Sequence, residues 1–176
     1  EAEIGLKLDM ISAPDIVAEV VDAYQIRANQ KKITLHVDPP AQTIPFISAD
    51  KALLTQALRN LVDNAINFNT QHGDVWLRYQ LQEGQIVFEV QDTGIGISPV
   101  DQQRLYEKFY RVESREKDKQ QGTGLGLAIV QSIAERHGGK TWVESELGQG
   151  SKFYLSIPIR QPEKLKGDQS GVRKLL

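Results

Sequence analysis

Apolar positions recur along the chain in two rhythms, one helical and one alternating. Ile4, Leu6, Leu8 and Met10 alternate with other residues like an edge strand. Ser12-Ala13-Pro14-Asp15 then marks a helix start, with Ser12 or Ala13 near the cap and proline in the first turn. Ile16, Val17, Val20, Val21, Tyr24 and Ile26 form its apolar stripe, and residues 29 to 32 close it in polar side chains. Residues 33 to 37 alternate as a strand that Asp38-Pro39-Pro40 stops. Residues 44 to 47 are expected as loop, leading to Ser48-Ala49-Asp50 and a second helix start. That helix, roughly 51 to 68, carries Leu53, Leu54, Ala57, Leu58, Leu61, Val62 and Ala65 on a broad apolar face.

Residues 73 to 81 and 85 to 91 pair as a hairpin around Glu83-Gly84, and Ser98-Pro99 opens a helix through Leu105. Residues 113 to 121 are almost wholly polar and without period, which predicts a mobile surface loop. Another helix follows, with Leu125, Leu127, Ala128, Ile129, Ile133 and Ala134 as its apolar residues, and His137-Gly138-Gly139 ends it. That placement makes His137 a helix-end residue rather than a catalyst. Residues 140 to 145 and 151 to 159 are the last strands, and 160 to 176 are expected as a frayed polar tail.

A chain of 176 residues suits one full-sized domain. Its 40% hydrophobic and 25% charged residues are ordinary for a globular protein, and no apolar run reaches membrane-spanning length. Without cysteine there is no disulfide or thiolate chemistry, which fits a cytoplasmic setting. His36, His72 and His137 share no helix-face spacing with carboxylates, so a protein-built transition-metal site is not expected. A formal net charge of −2 gives no electrostatic case for nucleic acid. Glu1 is not an initiator, and the chain is expected to be a piece of a longer protein, residues 1 to 5 being a linker remnant.

Three stretches carry candidate chemistry. Asp92-Thr93-Gly94-Ile95-Gly96-Ile97 puts an acid at a strand end before two spaced glycines. A carboxylate there can accept a hydrogen bond from an amino group on a flat ligand lying against the backbone. Alone, the pattern also fits a strand followed by a tight turn. Asn60, Asn64 and Asn67 stand at i, i+4 and i+7 on the second helix. They are either solvated amides or a site, and the scarcity of charge on that face favours a site. Gly122-Thr123-Gly124-Leu125-Gly126-Leu127 feeds directly into a helix, whose free N–H groups and positive dipole end suit phosphate. The spacing is not that of a P-loop, and the preceding polar loop argues against a dinucleotide fingerprint.

In this order and spacing, with Phe109-Tyr110-Arg111 between the glycine boxes, the chain closely resembles the ATP-binding catalytic domain of bacterial sensor histidine kinases, within the superfamily of gyrase, heat-shock chaperone and mismatch-repair ATPases. The resemblance runs from about residue 6 to 159. It implies a two-layer α/β sandwich of the Bergerat type, three main helices on a mixed, mostly antiparallel sheet, with a lid at about 109 to 123. It implies ATP and Mg²⁺ as cofactors. Asp92 would bond the adenine amino group; Gly94, Gly96, Ile97 and Thr123 would line the same pocket, and Phe68 would pack on the ring. Asn64 would hold the metal with Asn60 beside it, and Arg111, next to Tyr110, would meet the polyphosphate. Gly124, Leu125, Gly126 and Leu127 would bring the lid and helix start to the phosphates. Arg115 and Lys117 are weaker candidates for that role. Implied partners are an upstream dimerisation and histidine-phosphotransfer domain and a downstream response-regulator receiver domain, with no nucleic acid and no membrane contact by this domain, whatever anchors the full protein.

The resemblance also bears on reaction type. Hydrolytic members carry a glutamate four residues before the metal asparagine; here that residue is Asn60, which cannot act as a base. This favours phosphoryl transfer to an external histidine over a gyrase- or chaperone-type ATPase. No His followed by Glu or Asp occurs in the chain. A second departure is Asn67, where the family often has a phosphate-contacting lysine. It keeps a nucleotide-binding module without transferase activity open as a rival, unless a lid cation compensates.

Overall fold

The computed structural model describes residues 5–112 and 125–161. Strand β1 (Leu8–Ile11) pairs antiparallel with β3 (Ile47–Asp50), Leu8 facing Asp50 and Ile11 facing Ile47. The loop expected at 44 to 47 therefore gives way to a strand at its last residue. Four residues of strand have no period to detect, and what stabilises them is a partner 39 positions earlier rather than local propensity.

The five-stranded sheet runs β2 (Thr34–Asp38), β4 (Asp74–Gln82), β5 (Gln85–Asp92), β7 (Gly150–Pro158) and β6 (Lys140–Glu146) across its width. Only β2 with β4 is parallel; the other pairs are antiparallel, so the sheet is mixed and mostly antiparallel as expected. The β4–β5 turn has Glu83 and Gly84 both at positive φ, 48° and 74°, the backbone that a two-residue hairpin requires. Its alternation sends Val75, Leu77, Ile86, Phe88 and Val90 inward, all at most 1% exposed.

Helices α1 (Ala13–Gln30), α2 (Lys51–Asn67) and α4 (Gly126–Arg136) form the second layer. Ser12 caps α1, its hydroxyl accepting from the Asp15 N–H at 3.4 Å, and Asp50 caps α2, accepting from Leu53 at 3.2 Å. Leu54, Ala57, Leu58, Leu61, Val62, Ala65 and Ile66 of α2 are at most 2% exposed, so this helix lies at the centre of the core. Each large side chain so buried contributes about 1.5–3 kcal/mol. The helix expected from 99 to 105 is shorter: α3 (Pro99–Gln102) is a single turn, and turns continue from there. Val100 is exposed and no residue of α3 is buried, so no apolar face exists to propagate it.

Candidate functional site

The end of β5 and the C-terminus of α2 are joined by the loop after Asp92. Asp92 is 6% exposed, and its Oδ1 accepts the Gly94 N–H at 2.8 Å. The Ile95 N–H reaches across to the Phe68 carbonyl oxygen at 3.2 Å, and a Cβ on Gly94 would collide with that same oxygen. Gly96 has φ +69°, and a Cβ there would run into the Glu146 carbonyl. Ile97 is fully buried, its N–H donating to Ser145 Oγ at 2.9 Å. Gln102 Nε2 holds the carbonyls of both Ile97 and Ser145, at 2.8 and 2.9 Å. Gly148 N–H donates to the Ile95 carbonyl at 2.8 Å. The loop is thus fastened on one side to α2 and on the other to the β6–β7 hairpin. Its two glycines are required by backbone on both sides.

The other end is built from α2 and α4. Asn60 Nδ2 donates to the Gly126 carbonyl at 3.4 Å, which places the first asparagine at the start of α4. Leu125 caps α4 without a side-chain hydrogen bond of its own. Leu125, Gly126 and Leu127 are all half-buried. Asn64, one turn beyond Asn60, is half-buried, and its amide makes no side-chain hydrogen bond to another described residue. A carboxamide oxygen in that position is a hard donor of the kind Mg²⁺ takes.

Asn67 does not join them. Its Oδ1 accepts from Arg27 Nη2 at 2.5 Å, and its Nδ2 donates to Asp63 Oδ2 at 3.2 Å, so one end of the amide is committed to α1 and the other to its own helix. Helical spacing put three amides on one stripe. The neighbouring helix, which spacing cannot see, decides where the third one points.

Tyr110 also has its partners elsewhere: its hydroxyl donates to Asp101 Oδ1 at 2.5 Å, and Arg104 lies over its ring at 4.2 Å. The hydrogen bond to the Asp101 carboxylate raises the Tyr110 pKa above its ordinary value. Arg111 is half-buried. Thr123 and Gly124, with Arg115 and Lys117, lie outside the described residues. Among the described residues no cluster of three or more His, Cys, Asp or Glu could hold a metal ion by itself.

A family model described as histidine kinase-, DNA gyrase B- and HSP90-like ATPase matches residues 49–161. The chain belongs to this family. Within it, the chain is similar to sensor histidine kinases. It is 39% identical over 151 residues to the sensor-like histidine kinase SenX3 of Mycolicibacterium smegmatis, covering 86% of this chain and 39% of that protein. It is 37% identical to the sensor histidine kinase RppB of Synechocystis, covering 82% of this chain and 32% of that one. The chain thus spans about two fifths or less of either relative. Among solved structures, full-length ShkA in complex with AMPPNP superposes with a TM-score of 0.79 at 34% identity, over 89% of this chain and 32% of that one. The catalytic domain of the histidine kinase ThkA shares the fold, at a TM-score of 0.77, 24% identity and coverage of 89% and 98%.

Two residues that frame this ATPase-family site escape sequence reasoning. His137 is fully buried; its Nδ1 lies 2.7 Å from the Ile133 carbonyl and its Nε2 accepts the Asp50 N–H at 3.0 Å. It is a helix-end residue, as expected, and it also fastens α4 to the start of α2. Arg27 is the second, and nothing in its own stretch distinguishes it from a solvated helix charge. Only the distance to Asp63 does, 2.6 Å across two helices.

Proposed function

We propose that the chain is the nucleotide-binding catalytic domain of a two-component sensor kinase, which binds Mg-ATP and transfers the γ-phosphoryl group to a histidine on a separate dimerisation and phosphotransfer domain. A response-regulator receiver domain would take the phosphate onward. The observation that carries this reading is the Asn60–Gly126 contact. It sets an amide, not a carboxylate, at the junction of α2 and the α4 start, and an amide cannot take a proton from water. The nearest carboxylate on α2, Asp63, is tied to Arg27 and Asn67. An acceptor imidazole brings its own lone pair, so positioning and charge neutralisation suffice.

In this reading Asp92 receives the adenine amino group, and Gly94 and Gly96 let the ring lie against backbone. A Cβ at Gly94 or Gly96 would strike the Phe68 or Glu146 carbonyl, so both glycines keep this loop close against its neighbours. Phe68 packs on the ring. Asn64, assisted by Asn60, holds Mg²⁺, which when bound neutralises charge on the phosphates. Leu125, Gly126 and Leu127 bring N–H groups to them, with Arg111, Thr123 and Gly124 completing the phosphate end. ShkA was solved with AMPPNP, which supports nucleotide as the ligand class. No described helix is long and apolar enough to cross a membrane.

The test is to incubate the chain with labelled ATP, magnesium and a separately prepared acceptor hairpin. Acid-labile, base-stable phosphohistidine should form on the hairpin and be lost with Asn64→Ala, while steady-state hydrolysis without acceptor stays slow. Fast hydrolysis and no phosphohistidine would turn the assignment towards an ATPase.

A further inference from the structure

Arg27 belongs to none of the motifs above, yet its guanidinium crosses from α1 to α2. Nη1 donates to Asp63 Oδ1 at 2.6 Å and Nη2 to Asn67 Oδ1 at 2.5 Å, and Asn67 Nδ2 closes the ring by donating to Asp63 Oδ2 at 3.2 Å. The position of this ring along α2 matters. Asn67 stands three residues beyond Asn64, on the adjoining turn of the same face. It also immediately precedes Phe68, whose carbonyl holds the Asp92 loop. Along α2 the ring therefore spans Asp63 to Asn67, beside Asn64 and next to Phe68, the stretch that the nucleotide reading assigns to the metal and the base.

From Asn60 to Phe68, α2 has no cation of its own. A guanidinium has five N–H donors in a fixed fork, and the ring uses two of them. The Arg27 side chain is 37% exposed, so the remaining donors are within reach of solvent. Asn67 cannot serve the ligand itself, because both ends of its amide are engaged.

We propose that Arg27 is a phosphate-binding residue: α1 brings to the phosphate chain of the nucleotide the positive charge that α2 lacks, while Asp63 and Asn67 hold the guanidinium in place. This rests on the nucleotide reading of the site. The competing account is a clamp that joins α1 to α2 and is indifferent to the charge on the ligand. The two differ in what they predict for ligands that share a base and differ in phosphate.

The experiment is calorimetric titration of the whole chain with ATP, ADP and adenosine in the presence of Mg²⁺, for the unsubstituted protein, Arg27→Gln and Arg27→Lys. Arg27→Gln should weaken ATP by about tenfold and ADP by less, leaving adenosine within about twofold. Arg27→Lys, which keeps the charge but cannot bridge Asp63 and Asn67 together, should retain most of the ATP affinity. Equal losses for ATP and adenosine, or no loss for either, would overturn the role and leave a clamp. Should Arg27→Gln fail to fold by circular dichroism, Arg27→Met takes its place as the charge-removing variant: a loss confined to phosphorylated ligands supports the role, and an equal loss on adenosine, or none on either, overturns it. An unsubstituted chain that binds neither ATP nor ADP would instead overturn the nucleotide reading.

Discussion

The two ends of the proposed site are built on opposite plans. At the Asp92 end the loop is held mostly by backbone: Ile95 to Phe68, Gly148 to Ile95, the Ile97 N–H to the Ser145 hydroxyl, and two glycines pressed against carbonyl oxygens. At the Asn64 end the ties among the described residues are few: one long hydrogen bond from Asn60 to Gly126, and a helix start whose cap residue makes no side-chain hydrogen bond. A base is rigid and flat, and selecting it calls for a preformed surface. A triphosphate with its metal is charged, flexible and hydrated, and donors that are not already engaged suit it better. The contrast teaches which substitutions strike the fold and which strike the ligand.

The largest effect belongs to Gly96→Ala. The new methyl meets the Glu146 carbonyl in a backbone at φ +69°, so strain and collision act together. A loss of roughly 2–4 kcal/mol in stability is expected, read by chemical denaturation. A change within about 0.5 kcal/mol would show that the base end is less constrained than its contacts indicate.

Asp92→Asn comes next and separates ligand from fold at the same end. A carboxamide oxygen can still accept the Gly94 N–H, so stability should hardly move. The adenine amino group would lose its carboxylate, and affinity for ATP should fall by about 1–3 kcal/mol, several-fold to a hundred-fold by calorimetry. Unchanged affinity would remove Asp92 from the base pocket.

Much of this was legible in the chain. The α2 stripe, the Glu83-Gly84 hairpin and the spacing of Asp92 with Gly94 and Gly96 are local patterns, and the structure keeps them. What stayed hidden depends on partners far away in sequence. Strand β3 pairs with β1, about 39 positions earlier on average; Asn67 is bonded by Arg27, 40 positions earlier; His137 accepts from the Asp50 N–H, 87 positions away. Period and propensity carry no information about such pairs. The length of α3 was misjudged for a related reason, since a cap and a proline mark where a helix can begin but not whether a core exists to extend it.

Asp50 tests the scaffold that both ends share. Burial opposes its ionisation, but N–H donors from Lys7 and Leu53 outweigh that and hold its pKa below the ordinary carboxylate value. A pKa lower in the folded than in the unfolded chain means the charged form stabilises at neutral pH. That stabilisation is lost as pH falls below about 4, through the folded value. Asp50→Asn keeps a capping side chain and removes the titration. It should cost about 0.3–1 kcal/mol at pH 7, with the difference closing in acid, as read by melting temperature across pH. A difference that grows towards low pH would contradict the assignment.

The smallest effect on the fold should come from Gly126→Ala, and it bears most directly on the contrast. A Cβ at Gly126 meets no described residue within 4 Å, and alanine is the better helix former at the first residue of α4. Stability should therefore shift by less than about 0.5 kcal/mol. If the open space at this end exists for phosphate, the added methyl should still lower ATP affinity several-fold while leaving adenosine unaffected. A stability loss comparable to that of Gly96→Ala would erase the distinction between the two ends. An ATP affinity equal to that of the unsubstituted chain would mean that the phosphates do not approach α4 at its first residue.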